Sequence, residues 1–124
     1  MPNLLVIMKA CLAALLTLFS LSGFAQRLVT DSFDIEIDVR CEEGVVACDK
    51  VRYTSVNRRN GKSITLRGKD LHTRCADGVT PCRFLGYVFR NGKTTYTVWE
   101  NGTLSIKQGS KVLLEEQGTW RDVP

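Results

Sequence analysis

The segment Phe33-Asp34-Ile35-Glu36-Ile37-Asp38-Val39-Arg40 sets apolar and charged side chains in strict alternation. Only an extended strand, whose successive side chains point to opposite faces, gathers those apolar residues on one side. The same period of two returns from Lys50 to Val56 through Val51 and Tyr53, and more briefly from Ile64 to Leu66 after Asn60-Gly61. From Cys82 onward, extended runs follow one another to Arg90, from Lys93 to Glu100, from Thr103 to Lys107 and from Lys111 to Glu116. Asn91-Gly92, Asn101-Gly102 and Gln108-Gly109-Ser110 separate them. Asn-Gly between extended runs is the strongest short hairpin signal, because both central residues of the tight turn need positive φ. Beyond residue 25, apolar residues nowhere recur at helical spacing for three turns. The sequence therefore predicts an all-β fold: a small disulfide-stapled antiparallel barrel or sandwich of about seven or eight strands, its C-terminal part a hairpin meander.

The first 25 residues are of a different kind. Lys9 follows Met8, an apolar run extends from Ala10 to Phe19, and Ser20, Ser22 and Gly23 follow it. Gly23-Phe24-Ala25 places small residues at the two positions a signal peptidase reads. The pattern predicts a bacterial secretory signal over 1–25, started at Met8 and cleaved before Gln26, and a single β domain over 26–124. The apolar core is shorter than the roughly 20 residues a membrane span needs. Cys11 stands at the beginning of that run, whereas a lipoprotein carries its cysteine at the end. The expected product is periplasmic or secreted, with no transmembrane segment after cleavage.

Cleavage leaves Cys41, Cys48, Cys75 and Cys82, held in two related cassettes, CEEGVVAC at 41–48 and CADGVTPC at 75–82. An even number of cysteines in an exported chain reads as a disulfide framework. Three pairings are open; symmetry and proximity favour 41–48 with 75–82, each short loop adding about 2.5 kcal/mol. His72-x-x-Cys75 could be half of a zinc set, but six residues separate the cysteines of each pair and zinc ligands come in closer pairs. No metal and no cofactor is expected, and without C-x-x-C no redox role. Each cassette is followed five residues later by a tyrosine, Tyr53 or Tyr87, and then by Asn-Gly-Lys at 60–62 or 91–93. Residues 41–66 and 75–98 thus read as two pseudo-repeats, the first with three extra residues. Setting Cys41 opposite Cys48 also sets Asp38 opposite Val51, which mismatches the two faces, so a bulge or a non-hairpin route is expected there.

His72 is the only histidine and lies beside Asp70, Thr73 and Arg74 in what reads as a polar connector. Glu42-Glu43 and Glu115-Glu116 are adjacent pairs, which a strand points to opposite faces. No phosphate-binding glycine loop or cofactor fingerprint occurs, and the chain is read as a non-enzyme. The charge distribution says more. Residues 26–49 hold two basic against seven acidic residues, a balance of −5, whereas 50–93 hold eleven against two, a balance of +9. Cross-strand ion pairs with the acidic first strand absorb part of this excess. Arg58, Arg59, Lys62, Arg67, Lys69 and Arg74 remain as a candidate binding cluster on a basic loop region over 58–74.

Small size, export, crosslinks and the rhythm Val51-x-Tyr53 … Ile64-x-Leu66-x-Gly68 give a general plan similar to that of the periplasmic lysozyme inhibitors. The Ser-Gly-x-x-Tyr loop associated with that family is absent, and the chain is not assigned to it. The expected function is a non-enzymatic binding protein, an envelope inhibitor or immunity-type factor whose partner is another envelope or secreted protein. The alternatives are a binder of an anionic polysaccharide or lipid head group through 58–74, and a structural accessory protein of the envelope. Nucleic acid is disfavoured, since no row of stacking aromatics is interleaved with the basic residues.

Overall fold

The computed structural model describes residues 24–42 and 44–121, all in strands, turns and loops. Nine strands form one antiparallel sheet: β1 (Phe24–Val29), β2 (Phe33–Val39), β3 (Val51–Asn57), β4 (Ser63–Arg74), β5 (Pro81–Asn91), β6 (Thr94–Trp99), β7 (Thr103–Gln108), β8 (Lys111–Gln117) and β9 (Thr119–Arg121). Each pairs with its neighbour in sequence from β1 to β8, and β9 turns back to pair with β1. The result is a nearly closed barrel. The expected seven or eight strands become nine because β1 and β9 are added, but β8 and β9 are one run bent at Gly118, so the wall has eight members.

Alternation explains which side of each strand is inside. In β2, Ile35 and Ile37 are fully buried and Glu36 is exposed; in β3, Val51, Tyr53 and Ser55 face inward. Leu28, Leu66, Phe89, Val98 and Leu104 complete the core from the remaining wall strands. Tyr53 sits at its centre, with its ring centroid 5.0 Å from that of Phe89 and 5.6 Å from that of Tyr96. Gly68 makes this packing possible. A side chain there would strike the Val88 carbonyl and the Phe89 ring across the β4–β5 pair.

Closure rests on a short seam. β9 pairs with β1 over Arg27↔Arg121, Leu28↔Trp120 and Val29↔Thr119. A Cβ on Gly118 would lie 2.9 Å from the Leu28 and Thr30 side chains and from the Val29 carbonyl, so only glycine lets the bent strand come this close. Glu116 reaches over the seam, accepting hydrogen bonds from the Ser32 N–H at 3.2 Å and the Ser32 hydroxyl at 2.5 Å. The Trp120 indole N–H donates to the Glu100 carbonyl at 2.8 Å.

Several local expectations change. The supposed connector over 67–74 is strand: β4 runs unbroken from Ser63 to Arg74, so only 58–62 of the basic region is loop. The parity conflict, by contrast, is resolved by a non-hairpin route, one of the two expected solutions. Val39 pairs with Val51 and Asp38 with Arg52, and Cys41 lies in an irregular connection over 40–50. The pseudo-repeat segments each comprise a disulfide loop, a strand, a turn and the next strand. The turn between Asn57 and Ser63 is three residues longer than that between Asn91 and Thr94. The leader assigned to 1–25 lies outside the described residues as far as Gly23, and its last two positions, Phe24 and Ala25, open β1.

Candidate binding surface at the disulfide-closed end

Both disulfides take the local pairing. Cys41 is bonded to Cys48 with Cα atoms 5.8 Å apart, and Cys75 to Cys82 with Cα atoms 5.2 Å apart. All four cysteines among the described residues are thereby removed as nucleophiles or metal ligands. The first bridge locks the β2–β3 connection and the second locks the β4–β5 turn. Because β2 and β4 run in the same direction, the two loops emerge side by side at one end of the barrel. Two disulfides are compatible with an oxidising compartment, and among the described residues no helix is long and apolar enough to cross a membrane.

Each loop is ordered by hydrogen bonds, from a different source in each case. In the second, the Asp77 carboxylate accepts the Thr80 hydroxyl, the Thr80 N–H at 2.8 Å and the Val79 N–H at 2.9 Å. These bonds, the Thr80 hydroxyl foremost, hold its pKa down at about 2. Gly78 takes φ 74° to complete the turn, and the Arg74 guanidinium donates to its carbonyl at 3.1 Å. In the first loop the clasp comes from outside. The Asp70 N–H donates to the Cys48 carbonyl at 2.9 Å, and the Asp70 carboxylate accepts the Cys48 N–H at 2.9 Å. Two reciprocal bonds thus pin the buried half of the first disulfide to β4.

His72 is not a solvated loop residue. Its side chain is only 13% exposed, as is that of Asp70, whose Oδ1 lies 3.6 Å from its Nδ1. The ring meets Phe84 edge-on at 5.6 Å, and Phe84 meets Tyr87 at 5.1 Å. Burial raises the Tyr87 pKa, and its hydroxyl oxygen accepts a long 3.3 Å hydrogen bond from the Gln26 amide. A chain of aromatic contacts therefore leads from the barrel interior to the rim.

Between the loops lies a cleft of about 460 Å³ whose walls include Ala47, Cys48, Asp70, His72, Val79 and Pro81. Val79 on one loop is 76% exposed, and Val45 and Val46 on the other are 50% and 65% exposed. Three β-branched apolar residues held out to water on crosslinked loops are poor economy for a core and well suited to contact with an apolar surface.

The six cations singled out in the sequence do not meet. Arg58 donates from Nη1 to the Thr30 carbonyl at 2.7 Å and from its backbone to the Ser32 carbonyl at 2.9 Å, tying two turns together. Arg59 and Lys62 share the same turn, their backbone N–H groups capped by Asn57 and Asn60 at 2.9 Å. Arg67 and Lys69 point outward midway along β4, and Arg74 stands at its far end, about 36 Å from Ser63 at the usual strand rise. Three places replace one cluster. Sequence reading missed the apolar tips and the Asp70–Cys48 clasp. The repeated Gly-Val within each cassette carried the first, and only the register of β3 on β4 could show the second. No family model, curated protein or solved structure matches this chain.

Proposed function

We propose that this chain is a small exported binding protein of the bacterial envelope, non-enzymatic, that engages another envelope or secreted protein through its disulfide-closed end. An inhibitor or immunity-type role is the form of binding that suits it. The observation that carries the reading is the exposure of Val45, Val46 and Val79 on two adjacent crosslinked loops across one cleft. Loops already fixed by a disulfide and by internal hydrogen bonds lose little conformational entropy on docking, so more of the contact energy appears as affinity. Apolar tips with Asp77 in the second loop and Arg74 and Lys69 along the cleft suit an interface that has an apolar centre and a polar rim. Periplasmic or secreted placement follows from the same reading, since the bridges would not persist among reducing thiols.

The test is capture from envelope and culture-fluid extracts with oxidised protein, comparing the native chain with Val46→Asp/Val79→Asp. The expected result is one protein held stoichiometrically by the native chain through a high-salt wash and lost from the variant, whose circular dichroism is unchanged. Identical captures by both proteins would remove the disulfide end from consideration.

A further inference from the structure

The outer face of β3, β4 and β5 carries a second feature, which adjoins the disulfide end at Asp49 and Lys69, residues that line both clefts. Arg52 is directly opposite Arg67 across the β3–β4 ladder, and both are exposed. Arg67, Lys69 and Arg90 line one shallow cleft of about 310 Å³, floored by Gly68 and Val88 with Asp49 at its rim. The row continues around the wall: Thr95 is opposite Arg90, and Lys107 is opposite Thr95. From β3 to β7 it spans four interstrand steps, about 19 Å.

Like charges directly opposed across a ladder destabilise a sheet, and the fold does not relieve these. Asp38, the neighbour of Arg52 on β2, is engaged by Arg40 at 2.9 Å instead. Among the described residues no carboxylate lies within ion-pair distance of Arg52, Arg67, Lys69 or Arg90. The row is narrow, and the acidic outward positions of β2, Asp34, Glu36 and Asp38, bound it on one side. A flat anionic membrane pressed on this wall would meet those carboxylates as well, whereas a linear polymer can follow the cations alone. The ladder positions flanking the row on the same face are Thr54, Thr65, Val88 and Thr97. Tyr53 and Phe89 are buried on the other side, so no aromatic ring is interleaved with these cations as a single-stranded nucleic acid would use.

We propose that this row is a binding site for a linear anionic polysaccharide, with the Arg52, Arg67 and Arg90 forks gripping its sulfate or carboxylate groups and Lys69 adding a point charge. Arginine forks match the two oxygens of such groups, and an anion between Arg52 and Arg67 would turn their repulsion into a shared attraction. The proposal does not rest on the protein-partner reading, and either can fail alone.

The experiment compares the native protein with two triple variants of equal net charge. One removes the row, Arg52→Gln/Arg67→Gln/Arg90→Gln; the other, the turn variant, removes exposed cations outside it, Arg59→Gln/Lys62→Gln/Arg83→Gln. Titration with heparin and with polygalacturonate is expected to show binding that weakens with salt. The row variant should lose at least about tenfold in affinity while the turn variant stays within about twofold. At equal concentration, either polymer should raise the melting temperature of the native and turn-variant proteins more than that of the row variant. Equal losses in both variants would overturn the proposal in favour of net charge alone. So would row-dependent binding to phosphatidylglycerol vesicles, or to a single-stranded oligonucleotide, that is tighter than binding to either polymer, and so would no binding at all.

Discussion

Tyr53 is fully buried, and its hydroxyl has no hydrogen-bond partner among the described residues, with Ser55 near enough to lower its pKa but outside bonding geometry. Burial dominates and pushes the phenol up to about 12. A raised folded pKa means that the folded state holds its proton more tightly than the unfolded state. The associated stability is whole below the unfolded value near 10 and is lost as pH climbs from there through about 12. The Tyr53→Phe variant should therefore match or slightly exceed the native protein at neutral pH, because an orphaned buried hydroxyl is removed. It should also lose less stability between pH 10 and 12, which denaturant melts across that range would reveal. Asp70 behaves in the opposite sense. Asp70→Ala strands the Cys48 N–H without its acceptor and should cost about 1–3 kcal/mol, with amide exchange accelerating in the 41–48 loop first. Asp70 and His72 are also where the sequence misled. Polar residues at inward positions read as a connector, because the pattern assumes an apolar interior on the inward side. There, however, β4 and β5 project past β3 and line an open cleft instead.

The strands that alternate most cleanly, β2 and β3, and those punctuated by Asn-Gly, β5 to β7, were legible from the chain alone. β1 was hidden because Phe24 and Ala25 read as the end of a leader, and β9 because three residues after a glycine give no periodicity. The cationic row was hidden for a different reason. Arg52, Arg67 and Arg90 are far apart in sequence, and only the pairing registers set them side by side. The β8–β9 bend allows two further expectations. Gly118→Ala would drive a methyl group into the Val29 carbonyl and should destabilise by about 1–3 kcal/mol, the usual cost of overpacking. Burial alone would raise the Glu116 pKa, but the hydrogen bonds from Ser32, with Thr30 and the Arg59 charge nearby, outweigh it and the net shift is downward. A depressed carboxylate contributes stability above its unfolded value near 4.5 that is lost as pH falls through the folded one. Mild acid should loosen the seam, seen as faster exchange of the Val29 and Arg121 amides, and Glu116→Gln should blunt that dependence.

The barrel as a whole draws on two crosslinks whose loops are short, so each should contribute only about 2.5 kcal/mol. Reduction is accordingly expected to lower the melting temperature, and to disorder the cassette end before the wall, as judged by amide exchange. If binding to the captured partner vanished on reduction while polysaccharide binding survived, the two surfaces would be shown to be independent. The meander has a kinetic counterpart. Every pairing from β1 through β8 joins strands that are neighbours along the chain, and only the three pairs between β1 and β9 join its two ends. Contacts between sequence neighbours form early because little loop entropy opposes them, whereas end-to-end contacts wait for the rest. Refolding should therefore pass through hairpins to an open, curled sheet. Its last event should be the arrival of Trp120 beside Leu28, timed by indole fluorescence, and the same three pairs should be the first to part when the native barrel breathes.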